Sequence, residues 1–314
     1  MKIIVTHTSP DMDAITSVWL IRSFLQGWED AIVKFVPAGE RISSSKLEDA
    51  IEIIGEDEVI HVDTGLGPLD HHQTADDNVC GASLAWEYIK SQKSSIRQAQ
   101  DKSQKSEKEI DKEAAINRMV KVVVDTDHFK EVFWPNPTAD YYEFSVGAIL
   151  DGLKLQKPNQ DEYYVSFVSE CLDAILHEFE NRIWAEKEIA ENGQKFETRS
   201  GKGIGFETIN DSVIKLAQKM GYVIVVRKDP RKGYVRIKAL PSQVQSSSRQ
   251  SRDKVQSSDI DLTLAYEKLK KMDPNATWFL HIGKKMLLNG SVKNPKMRPT
   301  RLGLEEIIKV LEKI

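Results

Sequence analysis

The chain has 314 residues, with 44 Lys and Arg against 48 Asp and Glu, 40% hydrophobic residues and 8% aromatics. That length suits about two domains of roughly 150 residues each, and a formal charge of −4 supplies no overall basic field to hold a long nucleic-acid duplex. No run reaches the roughly 18 apolar residues of a membrane span, and the opening Met1-Lys2-Ile3-Ile4-Val5-Thr6-His7 turns polar too early for a signal peptide, so a cytoplasmic protein with no membrane partner is expected. The two cysteines, Cys80 and Cys171, form no Cys-x-x-Cys pair, which excludes a thiolate zinc site and a disulfide framework. Any metal must use His and carboxylates.

Lys2 to Thr6 is short, β-branched and closed by a Pro-Asp turn signal, and reads as a strand. A helix comes next, with Ile15, Val18, Trp19, Ile21 and Leu25 at helical spacing and Asp11 or Asp13 as its cap. Ala31 to Val36 reads as a second strand, Ser45 to Ile54 as a helix, Glu58 to Val62 as a third strand and Gly81 to Lys90 as a helix. Ser91 to Asn117 has almost no large apolar residue and reads as a solvated helix or mobile insertion, and Met119 to Val124 as a further buried strand. Alternating strands and helices predict an α/β fold over residues 1–158, a mostly parallel sheet flanked by helices. Asn159 to Gly193 is expected to form one long connecting helix, with Val165, Val168, Leu172, Ile175, Phe179 and Ile183 spaced by three or four. Residues 194–314 then form a smaller mixed α/β C-terminal domain. Its strands are placed at Tyr222 to Arg227, Tyr234 to Ala239 and Thr277 to His281, its helices at Asp211 to Met220 and Ile260 to Lys271, and a Ser, Gln and Arg tract at 242–258 is expected to be a flexible loop.

Four acidic or histidine clusters fall after these strands: His7-Thr8-Ser9-Pro10-Asp11-Met12-Asp13, Asp63, Asp70-His71-His72 and Asp125-Thr126-Asp127. In a parallel α/β sheet the carboxyl ends of the strands share one edge, so residues distant in sequence converge there. An isolated Asp after a strand is ordinarily a helix cap or turn residue; the conjunction of four clusters at strand ends points to a common site. Carboxylates and imidazoles suit divalent cations of the manganese, iron or zinc kind, and crowded carboxylates repel one another unless cations balance them. Two such ions, roughly 3.5–4 Å apart, serve phosphoryl hydrolysis.

In this arrangement the sequence resembles the DHH phosphoesterase superfamily. Its first motif, His-x-x-Pro-Asp-x-Asp, stands as His7 to Asp13; its second as Asp63; its third as Asp70-His71-His72; and its fourth as Asp125-Thr126 with Phe129. The resemblance covers roughly the first 150 residues. It implies one metal on His7, Asp11 and Asp63 and another on Asp13, Asp63, His71 and Asp125, with Asp63 shared. It further implies His72 facing the substrate phosphate or attacking water and Asp70 orienting the histidines. Asp127 stands where members of the family often have Gly, and His61 and His128 carry no role in the family pattern.

The family usually adds a smaller C-terminal domain that brings basic groups to the substrate. Pro274 to Leu304 contains no Asp or Glu but holds Lys284, Lys285, Lys293, Lys296, Arg298 and Arg301. The turn Asn289-Gly290-Ser291 offers backbone N–H groups and a hydroxyl for a phosphate. The substrate-binding set expected here is Lys284, Lys285, Asn289, Ser291, Arg298 and Arg301. The Gly-Gly-x-x-x-x-Ala pattern of the nanoRNA and cyclic-dinucleotide members is not evident. The chain's end looks more similar to MYG-type exonucleases, and its length and first motif to manganese-dependent family II inorganic pyrophosphatases. The resemblance implies a phosphohydrolase with two divalent ions, manganese first with magnesium or cobalt as alternatives, acting on a small phosphorylated substrate, a short oligonucleotide or a dinucleotide. A short basic strip fits few phosphates better than a long polymer. Pyrophosphate hydrolysis and a non-catalytic nucleotide binder are the alternatives, and an oligomer is compatible with each.

Overall fold

The structure is a computed structural model that describes residues 1–43, 49–99, 105–241, 260–291 and 293–314. The start of the helix expected over 45–54 (residues 45–48), the tract at 242–258 and the middle of the 91–117 insertion lie outside the described residues. The chain divides into two compact units, Met1–Glu180 and Asn181–Ile314. Both are α/β, each built on a mixed sheet.

The first unit runs β1 (Lys2–His7), α1 (Met12–Phe24), β2 (Ile32–Val36), β3 (Ile51–Ile54), β4 (Asp57–His61), α2 (Gly81–Ala99), α3 (Glu107–Asp127), two short 3-10 turns at Lys130–Phe133 and Asp140–Phe144, α4 (Val146–Gln156) and the start of α5 (Asp161–Glu191). Its strand order is β2-β1-β4-β3, with β1 parallel to both β2 and β4 and only β3 antiparallel at the edge. Ile3, Ile4 and Val5 of β1 are all buried, as expected of a central parallel strand covered on both faces. Helix α1 is buried without interruption from Asp13 to Ile21 and packs against α2 and α3. A helix apolar nearly all round belongs inside.

Two predicted elements are corrected. Ile51 to Ile54, expected at the end of a helix, is the antiparallel edge strand β3. Met119 to Val124, expected as a strand, lies within the 21-residue helix α3. The β-branched run Val122-Val123-Val124 favours a strand locally, but a capping box in which Ser106 Oγ accepts from Glu109 N and Glu109 reaches back to Ser106 N starts the helix. Its buried residues, Ala115, Ile116, Met119, Val120, Val123 and Val124, then repeat at helical spacing. Packing decides the conformation that propensity leaves open.

The second unit takes the end of α5 and continues with β5 (Gln194–Thr198), β6 (Gly201–Glu207), α6 (Ser212–Lys219), β7 (Ile224–Lys228), β8 (Val235–Ala239), α7 (Thr263–Met272), β9 (Trp278–Leu280), β10 (Met286–Asn289) and α8 (Leu304–Leu311). The order is β5-β6-β7-β8-β10-β9, parallel only between β6 and β7. Alternation along β7 sends Ile224 and Val226 into a core with α7 and α8, and Val225 into a second core with α6, Ala185 and Ile189. On β6 the same alternation sets Ile204 and Phe206 on one face, while Gly205 on the other leaves room for Ile308 and Leu304 of α8.

Candidate metal centre

The register of β1 and β4 builds the core of the site. Val5 pairs with His61, and Val62 N donates to Val5 O at 2.9 Å, so His7 at the end of β1 and Asp63 just beyond β4 emerge level on one edge. Asp63 sits in the left-handed region at φ 51°, which Asp tolerates better than most residues. Its carboxylate is buried. One oxygen, Oδ2, lies 3.3 Å from His7 Nε2, and the other, Oδ1, lies 3.5 Å from His71 Nε2.

Each histidine has a second carboxylate beside it. Asp11 caps α1 through Ala14 N at 2.9 Å, and its other oxygen stands 3.8 Å from His7 Nε2. His71 Nε2 also lies 3.5 Å from Asp127 Oδ2 and 3.8 Å from Asp13 Oδ2. Among the described residues, three groups have ligand atoms close enough for one ion: His7, Asp11 and Asp63; Asp63, His71 and His72; and His71, Asp127 and His128. The first two share Asp63 and the last two share His71. Asp63 Oδ1 and Asp127 Oδ2 are buried with no hydrogen-bond partner among the described residues, the condition in which a buried carboxylate oxygen is most costly to leave and a cation most useful. The donor set of oxygens and imidazole nitrogens fits divalent manganese, iron or zinc.

Hydrogen bonds define which nitrogen each ring offers. His7 Nδ1 donates to Thr8 O at 3.0 Å, because a carbonyl only accepts, so Nε2 is the coordinating atom. His72 Nδ1 lies 2.7 Å from Asp70 Oδ1, and Asp70 also accepts from His72 N and Leu66 N. That arrangement leaves His72 Nε2 on a ring 57% exposed. His128 Nε2 donates to Val79 O at 2.8 Å, so this histidine anchors the end of α3 and stands edge-on to His71.

Ionisation reflects the crowding. Burial opposes charge on His7, but hydrogen bonding to Asp63 and Thr8 and the nearby Asp11 prevail and push its pKa up to about 9. The Asp63 carboxylate 3.5 Å away, against burial and with help from Asp127 and Asp13, raises His71 to about 9 as well. Burial, then Asp63, holds Asp13 well above the carboxylate range, and burial raises Asp127. Burial would raise Asp63 too, but His7 and His71 overcome it and lower the pKa. Burial, with Asp13 beside it, pushes the Cys80 thiol up.

Of the expected metal ligands, His7, Asp11, Asp63 and His71 come together. Asp13 is present but its two oxygens accept from Gly81 N at 2.6 Å and Ala82 N at 2.7 Å, so it seats the N-terminus of α2. A Cβ on Gly81 would come within 2.9 Å of both Asp13 Oδ2 and Asp63 Cβ, which reserves that position for glycine. Asp125 belongs to none of the three groups and instead pairs with Lys121 one helical turn earlier at 2.5 Å. Asp127 takes the inward place, because it lies four and three residues beyond Val123 and Val124 on the buried face of α3. The same periodicity is visible in the sequence once the segment is read as a helix.

In the second unit the expected substrate-binding residues divide. Asn289 is corrected to a structural role: it is fully buried, its Nδ2 donates to Thr277 O and Arg298 O, and its Oδ1 accepts from Thr300 N. Ser291 accepts from Asn294 Nδ2. Lys284 pairs with Asp261 at 2.7 Å and Lys285 donates to Ile260 O at 2.7 Å, tying the β9–β10 turn to the start of α7. Arg298 and Arg301 are exposed.

No protein-family model matches the chain, and no curated protein matches it. Among solved structures it is similar to an uncharacterized protein from Helicobacter pylori G27, with 13% identity, all of both chains covered and a TM-score of 0.24, a likeness too slight to carry an argument.

Proposed function

We propose that the chain is a DHH-type phosphohydrolase that uses two divalent ions, manganese first, to cleave a phosphodiester in a short oligonucleotide or dinucleotide. The observation that carries this reading is the division of Asp63 between His7 and His71, with Asp11 beside the first histidine and Asp127 beside the second. When bound, such a pair of ions neutralises phosphoryl charge and makes a water acidic enough to attack at neutral pH. His7, Asp11 and Asp63 would hold one ion; Asp63, His71 and Asp127 would hold the other. His72, with Nδ1 fixed by Asp70, presents Nε2 to solvent, where it can hold a phosphate oxygen or exchange a proton with the leaving group.

The segment after Asp127 favours a nucleotide over bare pyrophosphate. Phe129, Phe133 and Phe144 are strongly exposed there, and Tyr141 is also exposed. The segment leaves the site at His128 and returns to it, since Lys154 donates to Ser9 O and Ser9 N donates to Asp161. Exposed aromatic faces stack nucleobases without sequence preference, at about 1–3 kcal/mol per base.

The test is a panel of diadenylate, short RNA and pyrophosphate with manganese, magnesium or cobalt. Manganese-dependent cleavage of the first two is expected, with Phe129→Ala and Phe133→Ala raising KM for diadenylate. Cleavage of pyrophosphate alone would replace the diesterase reading by a pyrophosphatase, and nucleotide binding without turnover would replace both.

A further inference from the structure

The loop that carries Asp63 is gripped by the loop after β2. Gly39 N donates to Thr64 Oγ1, which donates to Glu40 O, both at 3.1 Å. Arg41 Nη1 donates to Gly65 O at 2.8 Å. Thr64 and Gly65 come directly after Asp63, and this short stretch holds three residues in the left-handed region: Asp63 at φ 51°, Gly65 at 80° and Leu66 at 53°. Two of the three are not glycine. Such a backbone persists only where its surroundings over-determine it.

Arg41 is the residue that does so from two directions. Its second guanidinium nitrogen pairs with Glu52 of β3, which is buried. Glu52 also accepts from His61 Nδ1 at 2.7 Å, and Ile42 N donates to His61 Nε2 at 3.3 Å. Those two bonds define His61 as a neutral ring with its proton on Nδ1, so the charge of Glu52 is left for Arg41. A Cβ on Gly65 would come within 2.5 Å of Arg41 Cγ and 3.2 Å of Glu40 O, so the arginine stem lies flat against that glycine. A planar fork can hold a carboxylate and a carbonyl at once, whereas a lysine ammonium is a point charge on a flexible stem.

Resting on the two-ion reading of the site, we propose that Arg41 is a positioning residue for Asp63: by clamping Gly65 to Glu52 it holds Asp63 in the left-handed turn that aims its two oxygens at His7 and His71. Arg41, Glu52 and His61 belong to none of the three ligand groups, so the effect passes through backbone geometry. Without the fork, residues 63–66 relax, and the shared carboxylate no longer serves both histidines.

The experiment titrates manganese into the full-length wild type, Arg41→Lys, Thr64→Val and Arg227→Lys, reading affinity by calorimetry, spin coupling by electron paramagnetic resonance and folding by thermal melt. Arg227 is a buried arginine of the second unit, held by Asp211 and Thr208 O, and serves as the comparison for general destabilisation. Arg41→Lys is expected to weaken manganese binding about tenfold or more, the range for groups that orient metal ligands, and to replace the spin-coupled signal by that of isolated ions. Thr64→Val should act in the same direction and stands in if Arg41→Lys does not fold. Arg227→Lys should lower the melting temperature and leave affinity unchanged. Two coupled ions bound equally by wild type, Arg41→Lys and Thr64→Val would overturn the role of Arg41 and leave the metal centre standing. A wild type that binds no manganese would overturn the metal centre and the proposal with it.

Discussion

Asp63 serves two histidines with one carboxylate, and neighbouring acids compete for a place beside it. The resemblance in sequence assigns that place to Asp125, whereas the helix turns Asp127 inward to 3.5 Å from His71. The two differ in a way that a pair of isosteric substitutions separates. On the proposed two-ion reading, Asp127→Asn removes a ligand rather than a group behind one and is expected to lower manganese-dependent turnover by more than about a hundredfold. Asp125→Asn loses only an exposed pair with Lys121, worth roughly 0.3–0.5 kcal/mol, and should leave turnover within about twofold. Equal loss in both variants would return Asp125 to the site. Asn289 makes the opposite case at this scale. Asn289→Ala leaves the buried Thr300 N without its acceptor and takes one donor each from Thr277 O and Arg298 O, the latter still held by Thr277 N, a cost of about 1–3 kcal/mol on the usual penalty for one unpaired buried group. A lowered midpoint in urea with an unchanged KM is expected; a raised KM in a stably folded variant would restore its contact with substrate.

At the scale of elements, legibility depends on whether local signals and packing agree. His7, Asp11 and Asp63 are legible because β1 and β4 are central strands, apolar on both faces, and Asp11 is an ordinary helix cap. Helix α5 is legible from apolar residues spaced by three or four, β7 from its buried β-branched run and β8 from the alternation of Val235, Ile237 and Ala239 with Arg236 and Lys238. Strand β3 is hidden because Ile51-Glu52-Ile53-Ile54 lies at a sheet edge, where Ile53 is exposed and the buried polar Glu52 belongs to the Arg41 network; neither helical nor alternating apolar spacing survives. Helix α3 is hidden because three consecutive valines speak for a strand while burial at every third or fourth position speaks for a helix. The helix makes a definite claim about Val122, which is exposed, and Val123, which is buried. Val122→Glu should change stability by less than about 0.5 kcal/mol, and Val123→Ala should cost about 1–3 kcal/mol. Chemical denaturation measures both, and a large loss from Val122→Glu would contradict the assignment of this segment to a helix.

For the molecule as a whole, a formal charge of −4 conceals where protons sit when no cation is bound. His7 and His71 both hold protons up to about pH 9 in the folded chain, against about 6.5 for an exposed histidine. A basic group whose pKa is raised by folding stabilises the folded state fully below its unfolded value and loses that contribution as pH rises through the folded value. Buried Asp13 and Asp127, with raised pKa values, move stability in the same direction, because the unfolded chain gives up those protons more readily. The metal-free protein should therefore melt at falling temperatures between about pH 6.5 and 9. If manganese binds as proposed, both histidines become neutral ligands throughout that window, so this loss is removed and binding at lower pH displaces protons. The gain in melting temperature on adding manganese should widen steadily from about pH 6.5 to 8.5, measured by differential scanning fluorimetry at fixed ionic strength. His7→Gln should flatten the metal-free slope and reduce the gain together, since one imidazole carries both. A gain that stays constant across the window would mean that the ions bind without displacing protons from these histidines, and would take His7 and His71 out of the metal centre.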